Sequence, residues 1–183
     1  MAEALNVEFY DRDLIEAAAK KMNMSVSIAS DLEESARPNR FWRMCFPLGH
    51  DESRKQDELF QVEKKIILDL ADAKLCIIVG RCSDSILKCS KHLLRIFIYA
   101  PYKERLKNCV ERLKMDERTA KEMIRNVDRA RDAYQVRYAG YLPGDFHYTD
   151  LLINSSFLGV EATAQYLTEL VLKKYGSHHI EEV

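Results

Sequence analysis

The residues of this chain most suited to chemistry are the arginines of the stretch 118–138. Helical spacing places Arg118, Arg125 and Arg129 on one side of a predicted helix, and Arg131 falls beside them on the side that carries its apolar residues. A guanidinium is a permanent cation whose planar fork of donors fits phosphate oxygens. Several of these groups on one helical arm would form a clamp for a polyphosphate.

The same charges also fit a simpler interpretation, in which the helix has an ordinary solvated face. Glu122 with Arg125, and Asp128 with Arg131, have the spacing of surface ion pairs, each worth a few tenths of a kcal/mol. Tyr134 and Tyr138, farther along the same helix, would then serve packing and not base stacking. From the stretch alone, both interpretations remain open.

Composition limits the classes of function that the rest of the chain can have. Its 183 residues suffice for one domain with a real core. A formal net charge of -1 argues against a general binder of nucleic acid or membrane surfaces. No apolar run approaches a membrane span, and the first residues lack the pattern of a signal peptide. Five scattered cysteines, with no CxxC pair, favour a reduced, cytoplasmic setting.

Short apolar runs alternate with helical patterns along the sequence, which predicts an α/β protein with a mostly parallel sheet. The run at 75–79 is typical of a strand buried on both faces. Strands are predicted at 7–10, 75–79, 95–100 and 151–155, and helices at 14–22, 25–35, 59–70, 103–113, 118–138 and 159–174. An aromatic insert at 36–51 separates the early elements from the rest. The inward stripe of the helix at 59–70 is predicted at Leu59, Val62, Ile66 and Leu70, with Phe60 and Ile67 beside it.

Ligands of parallel sheets bind beyond the carboxyl ends of the strands. This rule selects the polar residues that end or follow a predicted strand, namely Asp11, Arg12, Arg81, Asp84 and Asn154. Simpler roles stay open for some of them. Asp11 could cap the helix that follows it. Arg81 could be the structural partner of Asp84, and Asp84 could cap a short helix at 85–88.

Five motifs, taken in order, resemble those of the cytidylate-kinase-like proteins, a branch of the nucleoside monophosphate kinases. They are FYDRDLI at 9–15, VGRCSD at 79–84, RIFIYAP at 95–101, VDRARDAY at 127–134 and YTDLLINSSFLG at 148–159. The resemblance implies a three-layer sandwich around a mostly parallel sheet, of P-loop kinase type, with a helical lid. It implies one domain, with an acceptor-binding region and insert at 7–51, a core at 52–113, a lid at 114–147 and a final strand and helix at 148–183.

The resemblance also implies an activity, the transfer of a phosphoryl group from ATP, with Mg²⁺, to a monophosphate such as CMP. On this pattern Asp11 and Arg12 would meet the acceptor nucleotide, and Arg81 would hold its phosphate. The lid arginines Arg125, Arg129 and Arg131 would neutralise the transferring group. Asn154 and Ser155 would lie near the donor base.

Two departures from the family pattern bear on this expectation. Cytidylate kinases proper have Gly-Arg-Asp where this chain has Gly-Arg-Cys at 80–82, so the acidic base contact is lost or moved to Asp84. The family also begins with a strand, a glycine-rich phosphate loop carrying a lysine, and a helix. None of the six glycines, at 49, 80, 140, 144, 159 and 176, lies in a GxxxxGK[ST] pattern.

Three explanations fit the second departure: a misplaced start, a protein that lost catalysis but kept an acceptor-like site, or a strand supplied by another chain. In each case the missing strand is central, so we expect exposed apolar strand edges, which a homo-oligomer could cover. The function expected is therefore that of a nucleotide kinase-like protein, truncated or degenerate. The alternative is an inactive nucleotide- or phosphate-binding protein or interaction module. A basic arm for nucleic acid is least favoured because the net charge is near zero.

Overall fold

The computed structural model of the chain describes residues 1–11 and 52–176, with side chains from residue 56 onward in the second segment. Arg12 lies outside the described residues, as do the helices predicted at 14–22 and 25–35 and the aromatic insert at 36–51. The chain has α/β architecture. In order, its described elements are α1 (Ala2–Leu5), β1 (Glu8–Tyr10), α2 (Glu52–Ala73), β2 (Cys76–Ile78), α3 (Ser83–Ile86), β3 (Ile96–Tyr99), α4 (Tyr102–Glu111), α5 (Glu117–Ala139), β4 (Leu151–Asn154), α6 (Ser155–Leu158) and α7 (Val160–Tyr175).

The four described strands form two small parallel sheets. β1 pairs with β2, with Phe9 opposite Ile77, and β3 pairs with β4, with Tyr99 opposite Asn154. Parallel neighbours need a crossover connection, and α2, which precedes β2, packs Ile67 against Tyr10 of β1 and Ile78 of β2. Because the strands of each pair are parallel, their carboxyl ends lie at the same edge of that sheet. Arg81 lies just beyond the carboxyl end of β2, and Asn154 is the last residue of β4.

The expectation that the strand at 75–79 is buried on both faces is wrong. Val79, just after β2, is 49% exposed, Ile98 in β3 is 54% exposed, and Leu152 in β4 is 42% exposed. In the segments that the structure describes, each strand has a single hydrogen-bonded neighbour.

Helix α2 supplies much of the core, but its buried face differs from the stripe predicted for it. Phe60, Ile66 and Ile67 are buried, and so is Glu63, whereas the predicted stripe residues Leu59, Val62 and Leu70 are only half-buried. Ile67 packs with Leu87 beyond α3, and half-buried residues of β1 and β2 close this cluster. The buried face of α2 is therefore shifted by about one residue from the predicted stripe, and it includes the Glu63 carboxylate.

Helix α5 begins and ends with well-formed caps. Asp116 accepts a hydrogen bond from the Thr119 backbone N–H at 3.1 Å, and Gly140 ends the helix in the left-handed conformation. The first half of α5 packs Ala120 and Ile124 against Cys109 of α4. In the described segments, no helix combines the length and the apolar composition needed to cross a lipid bilayer.

A pair of glycines tests the packing between the α5–β4 connection and β3. Gly144 has φ +75°, and a Cβ built there would lie 2.6 Å from the Phe97 ring, whereas Gly140, at φ +85°, has open space. Gly140→Ala should cost about 1–2 kcal/mol of unfolding free energy for its backbone conformation alone. Gly144→Ala should cost about 1–3 kcal/mol more, because the ring must also move. Urea denaturation measures both, and equal losses would show that the Phe97 contact is unimportant.

Candidate functional site

The turn after β2 has an unusual backbone. Gly80, Arg81 and Cys82 have φ of 79°, 57° and 54°, so three consecutive residues are left-handed before α3 begins at Ser83. Each non-glycine residue in this region costs roughly 1–2 kcal/mol. Such a turn persists only where the surroundings hold it, and such places concentrate at functional sites.

Arg81 and Glu63 form a buried ion pair that holds this turn against α2. The guanidinium Nη2 donates to the Glu63 Oε1, and the two side chains are only 11% and 1% exposed. The Tyr134 hydroxyl of α5 donates to the other carboxylate oxygen at 3.1 Å. The Arg81 guanidinium also lies over the Tyr134 ring, 5.0 Å from its centre. The suggestion that Asp84 partners Arg81 is therefore wrong, because the carboxylate that binds it is on α2.

Asp84 takes part in a second, adjacent network. Its carboxylate accepts hydrogen bonds from the Gln135 Nε2 at 3.0 and 3.2 Å and from the Tyr141 hydroxyl at 2.8 Å. The Cys82 thiol donates to the Gln135 Oε1 at 3.3 Å. The suggestion that Asp84 caps a helix at 85–88 is also wrong, since α3 starts at Ser83 and Asp84 lies within its first turn. Both networks thus tie the turn after β2 to α5.

Burial keeps the donors of these networks protonated. It raises the pKa of the Cys82 thiol to about 12, with the nearby Asp84 carboxylate as the next cause. Burial is also the main cause that raises the pKa of the Tyr134 and Tyr141 hydroxyls above their usual range, and the hydrogen bond to Asp84 adds to it for Tyr141. These groups are therefore hydrogen-bond donors and not nucleophiles or bases near neutral pH.

Aromatic packing fixes the second half of α5 on α2. Phe60 stacks on Tyr138 with ring centres 3.9 Å apart, and Tyr134 meets Tyr138 edge-on at 4.8 Å. Asp57 of α2 accepts from the Tyr138 hydroxyl at 2.8 Å and pairs with Arg137. The packing role suggested for Tyr134 and Tyr138 is confirmed, and α5 here forms a wall of the site.

None of the three lid arginines has a described contact with Arg81. Arg125, Arg129 and Arg131 are all exposed on α5. Across residues 1–11 and 52–176, none of the three makes a side-chain hydrogen bond or ion pair. Neither surface pair suggested for them is formed, and Asp128 is instead bound by Arg105 of α4 through contacts of 2.7 and 2.8 Å.

The residues assigned to the donor side have local hydrogen bonds. The Asn154 side chain accepts from the Ser156 N–H at 3.0 Å and from its hydroxyl at 2.7 Å, which caps α6. The Ser155 hydroxyl donates to the Tyr99 carbonyl at 3.1 Å. Beside them, a groove of about 330 Å³ is lined by β4, by Phe157 and Leu158, and by Tyr166. Asp11 follows β1 and is half-buried.

Sequence analysis missed three residues that build the site: Glu63, Gln135 and Tyr141. Glu63 carried a usable signal, since it lies three residues after Phe60 and four before Ile67, on the face that these residues bury. A carboxylate in that position needs a buried partner. Gln135 and Tyr141 gave no comparable signal, because a polar residue near a helix end is usually solvated.

The raised pKa of Cys82 predicts low reactivity in the folded protein. At pH 8 its thiolate fraction should be lower by on the order of a thousandfold than that of an ordinary cysteine of pKa about 8.5, because the thiolate is the reactive form. Iodoacetamide should therefore label the exposed Cys89 and spare Cys82 until the protein is denatured. Peptide mass spectrometry over time checks this, and equal labelling of both cysteines in the native state would contradict it.

Comparisons with known proteins agree with this architecture. A search of curated protein sequences found no match. Among solved structures, the chain is similar to an uncharacterized protein from Eubacterium ventriosum, with a TM-score of 0.68 and 22% identity over 93% of this chain and 86% of that chain. At that identity the likeness concerns the fold alone. The sequence matches the cytidylate kinase-like family over residues 1–157, and the chain therefore belongs to the cytidylate kinase-like family.

Proposed function

We propose that this chain acts as a nucleotide kinase-like protein that binds a nucleoside monophosphate, such as CMP, with Arg81 meeting its phosphate. The observation that carries the proposal is the left-handed turn, with its buried Arg81–Glu63 ion pair, that holds Arg81 at the carboxyl end of β2. Strained backbone and a buried cation are both costly, and both are common where a protein must hold a ligand group in a fixed place. Membership of the family supplies the class of ligand.

We also propose a more specific fold for the chain than the α/β class. In it, the β1–β2 and β3–β4 pairs lie on either side of the place that the family's first, central strand takes in a three-layer sandwich of P-loop kinase type, and α5 belongs to the helical lid. The parallel pairing within each sheet and the single neighbour of each described strand support this arrangement. One domain would then comprise the acceptor region at 7–51, the core at 52–113, the lid at 114–147 and the final segment at 148–183.

The remaining residues have proposed roles around the nucleotide. Asp11 and Arg12 would contact the acceptor nucleoside, with Asp84 near its base. Because Asp84 already accepts hydrogen bonds from Gln135 and Tyr141, a base contact through it would have to share that carboxylate. Asn154 and Ser155 would lie near a donor base while keeping their local bonds.

Arg125, Arg129 and Arg131 are proposed to act on the phosphoryl groups. Their exposure on α5 leaves their guanidinium donors accessible to a ligand from solvent. Phosphoryl transfer depends on positioning and on cations that neutralise developing charge, and a protein nucleophile is not required. Three arginines within two turns of one helix suit that requirement.

The described residues do not fit a cradle for ATP with Mg²⁺. They contain no group of three or more acidic, histidine or cysteine side chains that could hold a metal ion. The sequence has no glycine-rich loop with a lysine for the donor phosphates. We therefore derive no step through ATP, and transfer of its γ-phosphoryl group to CMP, giving ADP and CDP, stays the activity expected of the family.

The second candidate function is the alternative expected from the sequence. In it the protein binds a nucleotide or phosphate ligand at Arg81 and transfers nothing. The two candidates share the acceptor site and differ in turnover, so one set of measurements separates them.

Calorimetry with CMP tests the shared site. CMP should bind the native chain, and Arg81→Lys should weaken binding by roughly 10-fold or more, because lysine keeps the charge but loses the planar fork worth about 1.5–3 kcal/mol. The double variant Arg129→Ala with Arg131→Ala should also weaken it. Arg112→Ala, which removes an exposed arginine at the end of α4, is the matched control and should bind as the native chain does.

The outcomes of this experiment are distinct. Absence of heat with CMP, ADP and inorganic phosphate would contradict the proposed site altogether. Where CMP binds, incubation with ATP and Mg²⁺ decides between the two functions. Formation of CDP, reduced in Arg81→Lys, supports the kinase, and binding without CDP supports the non-transferring alternative.

A further inference from the structure

Glu63 is the most fully buried charged side chain of the described segments, and the family resemblance assigned it no role. It lies on the inward face of α2, and each of its carboxylate oxygens is bound by a different element. Oε1 accepts from the Arg81 guanidinium at the end of β2, and Oε2 accepts from the Tyr134 hydroxyl of α5 at 3.1 Å. One carboxylate thus joins three separate parts of the chain.

The geometry of a guanidinium makes such a contact directional. Its five N–H donors lie in one rigid plane, so holding one nitrogen fixes the direction of all the others. Tyr134 adds a second constraint, since its ring lies against the face of the same plane. The left-handed turn at 80–82 adds a third, because it sets where the Arg81 side chain begins.

We propose that Glu63 is a positioning residue for Arg81, which fixes the orientation in which the guanidinium meets the phosphate of a nucleoside monophosphate. The inference rests on the proposed function, and it adds the residue that makes Arg81 a preorganised donor. Tyr134 in turn holds Glu63 by its hydroxyl. Preorganisation matters because a long arginine side chain would otherwise lose rotamer freedom when it binds the ligand.

A competing role for Glu63 predicts that removing its charge changes the affinity for CMP in the opposite direction. A carboxylate that merely neutralised Arg81 would compete with the phosphate for the same cation. Removing its charge would then strengthen the binding of an anion. A positioning residue, when its charge is removed, weakens binding because the guanidinium is no longer held. The direction of the change therefore separates the two roles.

Glu63→Gln is the decisive variant, since glutamine keeps the size of the side chain and one carbonyl acceptor. Calorimetry with CMP should show its affinity fall by about 10-fold, the lower end of the loss that follows removal of a residue that orients a metal ligand. Tyr134→Phe keeps the ring over Arg81 and removes only the hydroxyl, so its affinity should fall in the same direction by a smaller factor. Unchanged or tighter binding by Glu63→Gln would overturn the inference.

Asp57→Asn is the matched control, because it also weakens the contact between α2 and α5. Asp57 also links the two helices, but its described contacts are with Arg137 and the Tyr138 hydroxyl and not with Arg81. Its variant should lose stability and keep the affinity of the native chain for CMP. If Asp57→Asn weakens CMP binding as much as Glu63→Gln does, the effect is a general loosening of α5 and the inference fails.

A measurement without ligand keeps this inference separate from the proposed function. Arginine side-chain ¹⁵N NMR should show slow rotation of the Arg81 guanidinium in the native chain and fast rotation in Glu63→Gln, with Asp57→Asn like the native chain. Equal rotation in the native chain and in Glu63→Gln would overturn the inference whatever the ligand data show. If the native chain binds no CMP but its Arg81 signal is slowed by Glu63, the proposed function fails and the orienting contact stands.

Discussion

The need to compensate two buried charges organises the described part of this protein. Removing an ion from water costs several kcal/mol, and a buried pair recovers that cost only with good geometry and further hydrogen bonds. Here Glu63 has Arg81 on one oxygen and the Tyr134 hydroxyl on the other, and the Tyr134 ring covers the guanidinium. Because these groups come from α2, the turn after β2 and α5, a shift of any of the three elements would break a hydrogen bond of the buried pair.

Helix α5 connects this charge centre to the exposed arginines. Its first half packs on α4, where Arg105 also binds Asp128, and its second half is fixed on α2 by the stacked Phe60 and Tyr138 rings. A continuous helix of 23 residues transmits position along its length. The placement of Arg129 and its neighbours is therefore linked to the contacts that hold Arg81, although no described contact joins them directly.

The sequence predicted the parts of this arrangement that depend on local pattern. Parallel strands, the long helices and Arg81 at a strand end all follow from apolar periodicity and from the position of polar residues after strands. It failed where burial is set by distant neighbours. The inward stripe of α2 was drawn through apolar residues, so Glu63 was passed over, and the partner of Arg81 was sought nearby at Asp84. Both errors arise because a buried carboxylate and its cation lie 18 residues apart and meet only in the folded chain.

The two ends of the proposed site, at Asn154 and at Arg81, differ in how far local structure accounts for the residues found there. Asn154 caps its own helix, and Ser155 binds the adjacent strand, so local structure accounts for both without a ligand. The turn at Arg81 differs, since left-handed backbone and a buried ion pair each cost free energy that an apolar turn would avoid. Because an apolar turn would be more stable at this position, ligand binding is the best explanation for the turn and its ion pair. Within the proposed site, the turn at Arg81 is therefore where the physical argument for a ligand is strongest.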